Sequence, residues 1–190
     1  MADNLTVVAA TGTIPIGSPI ATEDIGGNHH QRIIAYRDSV RVATTSGGLT
    51  TTATAYTAGD QVGTLFTIAG MARTSGFGGY ITSVVVKSAA TTTGPFNVVF
   101  FDSSVTLSGG DNGAWAISDA DLLKMVQLVP CSANYNFTNN RFAQSGAVWI
   151  PYVCSGGTSL YAGLITPTAI AATPFANATD IQLDVYAELG

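Results

Sequence analysis

Residues 180–189 read Asp-Ile-Gln-Leu-Asp-Val-Tyr-Ala-Glu-Leu, a strict alternation. Ile181, Leu183, Val185, Ala187 and Leu189 are apolar, and Gln182, Asp184, Tyr186 and Glu188 stand between them. Successive side chains of a strand point to opposite faces. Period two therefore means one buried face and one face that is wet or meets a partner. Other segments repeat the β signal. Residues 80–87 are a β-branched run suited to a buried strand. Residues 96–101, Phe-Asn-Val-Val-Phe-Phe, are apolar on nearly both faces, as a central strand would be. Residues 55–68 are broken by the turn signal Ala58-Gly59-Asp60. Residues 147–153 carry Pro151, which suggests an edge or a bulge, and 159–166 form a further run.

One helix is expected. Ser118 is a good N-cap, Asp119 and Asp121 suit the positive end of the helix dipole, and Leu122, Leu123, Met125 and Val126 follow. Pro130 ends it after barely two turns, so it connects strands rather than forming a layer. About eight strands separated by turn clusters point to a sandwich or jelly roll. The expected fold is all-β: a jelly-roll-like antiparallel β-sandwich with one short helix and an extended N-terminal arm.

The arm is residues 1–43 and the sandwich body 44–190. Residues 4–9 suit a short strand. Pro15 and Pro19 then block a helix or a central strand, residues 21–27 are polar and end in Gly26-Gly27, and His29 to Tyr36 suits an edge strand. The arm has few periodic apolar positions but holds Arg32, Arg37 and Arg41, three of the seven basic residues. These three arginines are the candidate partner-binding residues, placed to meet acidic groups on a neighbouring subunit. The alternative is that the arm's strands are ordinary members of the sandwich.

Composition narrows the function. Only 10% of the 190 residues are charged, and threonine outnumbers Asp, Glu, Lys and Arg together. Low charge with 46% hydrophobic residues opposes disorder. A net charge of −5 argues against nucleic acid, since phosphate neutralisation needs Lys and Arg. So neutral a surface either tolerates crowding or is buried against partners. The start lacks a signal-peptide pattern, and no apolar run is long enough for a membrane helix. Without a secretion signal, Cys131 and Cys154 are expected to be free, buried thiols. The Asn-x-Ser/Thr triplets at Asn4, Asn136 and Asn177 are expected to be chance.

Catalytic motifs are missing: there is no Gly-x-Ser-x-Gly elbow, P-loop or dinucleotide fingerprint. Residues 76–79, Gly-Phe-Gly-Gly, read as turn glycines. His29 and His30 are adjacent, so a strand sends them to opposite sides, and a third metal ligand would have to come from Glu23 or Asp24. Asp119 and Asp121 lack the ligands that complete a calcium loop, and helix capping accounts for them. Trp115, Trp149, Tyr152 and Tyr161 are core or interface residues in one reading and line a sugar groove in another. No cofactor and no enzymatic activity are expected.

The order of short motifs adds to this. Ile20-Ala-Thr-Glu-Asp-Ile-Gly-Gly27 and Gln31-Arg-Ile-Ile34 are followed by Tyr56-Thr-Ala-Gly-Asp60, Gly78-Gly-Tyr-Ile-Thr-Ser-Val84, Phe100-Phe-Asp102, Asp111-Asn-Gly-Ala-Trp115 and Ile117-Ser-Asp-Ala-Asp-Leu122. This series resembles tailed-bacteriophage virion structural proteins, in particular capsid decoration or cement proteins. The resemblance implies a jelly roll assembled as a homotrimer. Its partner would be the major capsid protein, on the outer surface of a head assembled in the host cytoplasm, with no nucleic-acid or membrane contact. A carbohydrate-binding or host-contact module of a tail or fibre is the rival expectation.

Overall fold

The computed structural model describes residues 55–89, 94–170, 175, 177 and 179–190, and the backbone of 21–25, 28–32 and 38–44. The chain divides into two units, Met1–Tyr36 and Arg37–Gly190.

In the first unit, β1 (Ala21–Ile25) and β2 (Asn28–Arg32) form an antiparallel hairpin that pairs Ile25 with Asn28 and Ala21 with Arg32. Two residues, Gly26-Gly27, separate the strands, the spacing of the tightest hairpins. The polar stretch after Pro19 thus contains β1. The strand expected over residues 4–9 lies outside the described residues, as do 33–36.

The second unit is a two-sheet sandwich. Its strands are β3 (Asp38–Thr44), β4 (Gln61–Ile68), β5 (Gly78–Ser88), β6 (Phe96–Phe101), β7 (Met125–Cys131), β8 (Ala133–Asn136), β9 (Arg141–Gln144), β10 (Ile150–Val153), β11 (Leu160–Ile165) and β12 (Ile181–Leu189), with one helix, α1 (Asp119–Leu122). One sheet runs β3-β12-β5-β9-β8, with β10 also on β5, and the other runs β4-β11-β6-β7. Every strand pairing is antiparallel. Set aside β8, which ends its sheet, and β10, which lies off the main path, and count the rest in chain order from β3. The sheets then read 1-8-3-6 and 2-7-4-5, the strand order of a jelly roll. The expected sandwich is present, and its first strand, Asp38–Thr44, begins inside the stretch assigned from sequence to the arm.

The core lies between the sheets. Ile181, Leu183, Val185 and Ala187 of β12 and Ile81, Val84 and Val86 of β5 face Phe66, Val98, Phe100, Leu160 and Leu164 of the other sheet. Burying a side chain such as Leu, Val or Phe contributes about 1.5–3 kcal/mol. A smaller cluster covers the outer face of the second sheet. There Trp115 and Leu107, on the segment between β6 and α1, lie over Val99, Phe101 and Tyr161. The Phe101 and Trp115 rings stack with centroids 6.4 Å apart. Gly163 makes this possible, because a Cβ there would collide with the Trp115 ring.

The helix differs from expectation. Ser118 caps it, its hydroxyl accepting from the Asp121 amide at 3.1 Å, but it ends at Leu122. Met125 and Val126 belong to β7 instead, and β7 runs through Pro130. Since β7 hydrogen-bonds only to β6 among the described strands, a proline with no N–H is tolerated on it. Pro151 is tolerated on β10 for the same reason. The neighbouring positions 148 and 154 donate toward β5 and its lead-in, so residue 151 turns its missing N–H to the free edge.

Candidate interaction surface

The three arginines singled out from sequence are not described as one site. Arg32 closes β2 opposite Ala21, Arg37 lies outside the described residues, and Arg41 sits on β3 opposite Tyr186. In the hairpin, Asp24 is the cross-strand partner of His29, and Glu23 that of His30. Each histidine position thus shares a face with one carboxylate position, and the two histidine positions are on opposite faces. Among the described residues, no three His, Cys, Asp or Glu side chains gather within reach of one metal ion.

The four aromatics proposed for a sugar groove are dispersed. Trp115 and Tyr161 belong to the outer cluster of the second sheet. Tyr152 is buried, with its hydroxyl donating to the Met71 carbonyl at 2.6 Å. Trp149 alone is exposed, and it stacks on Tyr80 with centroids 4.9 Å apart and planes 21° from parallel. That pairing was not legible in the residue pattern, because Tyr80 reads as the first residue of a buried strand. Its exposure follows from register: Tyr80 lies between Pro151 and Glu188 on the face away from the core. Two glycines let the backbones close in beside it. A Cβ on Gly78 would strike the Tyr152 carbonyl, and one on Gly79 the Glu188 carbonyl. Of the Gly76–Gly79 stretch, only Gly76 has a positive φ, +83°. The other two glycines serve close approach, not a turn.

Exposed apolar side chains stand on two edge strands and at the end of α1. Val153 and Pro151 stand on β10, whose far edge has no hydrogen-bonded strand among the described residues. Leu122 ends α1 and Leu123 follows it, and Met125 and Leu128 stand on β7, likewise an edge strand. Leu123 is 88% exposed. A shallow cleft of about 240 Å³ runs between the two edges, lined by Asp102, Val126, Pro151, Tyr152 and Val153. The α1 turn is fastened beside it. Lys124 donates to the Asp121 carboxylate at 2.8 Å and to the Ser104 carbonyl, while Asp121 also accepts from the Thr106 amide. The Lys124 hydrogen bond, then that amide, hold the Asp121 carboxyl below its usual pKa.

The outer face of the larger sheet carries one residue that alternation misplaces. Asp184 falls on the side expected to be wet, yet its side chain is fully buried. Lys87 of β5 pairs with it at 2.5 Å, and the Gln182 amide donates to its other oxygen at 2.7 Å. A buried carboxylate persists only with such partners. At the end of the sheet a cleft of about 360 Å³ is lined by Lys87, Phe137, Arg141, Phe142, Asp180 and Gln182.

Neither cysteine is built for nucleophilic work. Both are free and fully buried, as expected from sequence. Burial pushes the Cys131 thiol up to about 12, and burial followed by the nearby Asp102 charge pushes Cys154 up to about 11. A reactive thiol needs the opposite shift.

No described helix is long and apolar enough to cross a membrane. No family model, no curated protein and no solved structure matches the chain.

Proposed function

We propose that this chain is a non-catalytic assembly subunit, a decoration or cement protein that binds the outside of a tailed-phage head shell and works as a homotrimer. The observation that carries the assembly reading is the flank where two open strand edges border one apolar cleft. A monomer gains nothing from presenting Leu122, Leu123, Met125, Leu128 and Val153 to water beside two edges that no described strand pairs. An incoming strand or a neighbouring sandwich would cover these edges, and main-chain pairing would supply affinity with little demand on side chains. The phage head as the location rests on the order of sequence motifs, and Arg32, Arg37 and Arg41 fit an acidic shell surface. Two measurements test the reading. Sedimentation at micromolar concentration is expected to show a trimer, and the protein is expected to stay with intact heads after tails are sheared off. A monomer that stays with the tail fraction would overturn it.

A second reading is favoured by the exposed Tyr80–Trp149 stack, because sugar rings dock on such faces. In that reading the chain is a host-contact module. A melting shift with saccharides that is lost in Trp149→Ala would support it over the first.

A further inference from the structure

The entry to β4 contains a pocket of oxygens with no matching positive charge. Gln61 is 1% exposed and is fixed in place: its amide donates to the Gly63 carbonyl at 2.7 Å. That bond leaves Oε1 facing away from the carbonyl, buried and with no donor. Gly63 turns its own N–H to Asp111, donating to Oδ1 at 2.7 Å, and the Tyr56 hydroxyl donates to the same oxygen at 2.8 Å. The second carboxylate oxygen, Asp111 Oδ2, is also buried and has no donor. The backbone holds the two residues beside one another. Asn112 donates its N–H to the Gln61 carbonyl, and Gln61 donates its own to the Gly113 carbonyl. Asn112 takes a left-handed φ of +62° and Gly63 one of +71° to make the fit.

Charge is the second observation. Tyr56 is 1% exposed and its hydroxyl meets Asp111, and Asp60 closes the turn that follows it. Asp60 is 7% exposed and accepts from the Thr57 amide. Among the described residues neither carboxylate is in an ion pair. A bound water could donate to both orphan oxygens, yet it would leave two negative charges around a buried tyrosine uncompensated. A hard cation answers both problems, because it takes carboxylate and amide oxygens together.

We propose that the Gln61–Asp111 corner binds a calcium ion, with Gln61 Oε1 and Asp111 Oδ2 as its protein ligands and water completing the shell. With two protein oxygens and one ligating charge, the affinity belongs at the weak end for calcium, about 10⁻³ M. The ion would tie the 108–113 loop to the edge of β4, so it is a stabilising site and not a catalytic one.

The test uses the full chain after chelator dialysis. Calcium at ten times the expected dissociation constant is expected to raise the melting temperature by about 2 °C or more, and magnesium by less. Terbium is expected to luminesce when tyrosine is excited, since the Tyr56 hydroxyl touches the ligating carboxylate, and calcium should compete the signal away. Asp111→Asn keeps the shape and the Oδ1 that accepts both hydrogen bonds but replaces Oδ2 with a donor and removes the charge, and it should lose the melting shift and the luminescence together. Tyr56→Phe should keep the calcium shift and lose most of the luminescence, which decides the matter even if Asp111→Asn fails to fold. A wild-type protein with neither response overturns the proposal and leaves a water in the corner. So does an Asp111→Asn protein that retains both responses, or a Tyr56→Phe protein whose luminescence is undiminished.

Discussion

A few atoms decide several features of this fold. Gly163 exists so that Trp115 can lie over β11, and Gly163→Ala forces that ring out. The expected cost is about 1–3 kcal/mol, as for other overpacked sites. Chemical denaturation should show the loss, and Trp115 emission should shift to the red. The thiols give a pH signature. Their folded pKa values are raised, so the native state holds protons that the unfolded chain releases. Stability is therefore intact below about pH 8.5, the ordinary thiol value. It falls as pH rises through the folded values of about 11 and 12. Each thiol contributes at most about 1.4 kcal/mol per pH unit in that window. Cys131→Ser with Cys154→Ser should flatten this alkaline limb, and in the wild type neither thiol should be alkylated at pH 8 faster than the protein opens.

At the scale of elements, the Lys87–Asp184 pair joins β5 to β12 on the face away from the core. Lys87→Met leaves the buried carboxylate without its ammonium. Because the lysine is 39% exposed, the expected loss is discounted to about 1–3 kcal/mol, and Asp184→Asn in the same chain should recover much of it. The β12 strand was legible because each odd residue from Ile181 to Ala187 is buried as alternation demands. Asp184 was not, because its burial depends on a lysine nearly a hundred residues away. The long β5 and the central β6 were legible from β-branched and aromatic density. The β7 strand was not, since Ser118 and the leucines after it carry real helix-start chemistry, and Pro130 reads as a stop. Only the edge position, a tertiary fact, shows that the proline is harmless. Pro130→Val should therefore fold normally but associate more with rising concentration, because it restores a donor to an open edge. A Pro130→Val chain that loses stability would instead mean that the proline's fixed backbone is what holds β7. The exposed flank was invisible in sequence for the same reason: Leu123 and Met125 look like core residues until the sheet order places them outside.

For the whole molecule, the unit boundary sets what can be removed. A chain lacking residues 1–36 keeps β3 and is expected to melt cooperatively within a few degrees of the parent. One lacking 1–44 loses the strand beside β12 and should melt well below it. The order of strands in the larger sheet has another bearing. Its last strand, β12, is inserted between β3 and β5, so Thr44 waits for Leu183 and Val86 for the same residue. A sheet built this way cannot close while the polypeptide is still being made past β11. Such non-local pairing is slow, in the millisecond-to-second range for comparable β folds. During synthesis both flanking strands must stay open and soluble without their partner, and the sparse charge leaves them little repulsion to rely on. The yield of this protein in a cell should therefore be governed by chaperone supply and translation rate more than by the strength of the finished core. Slowing initiation or lowering temperature should raise the soluble fraction without changing the melting point of what is recovered.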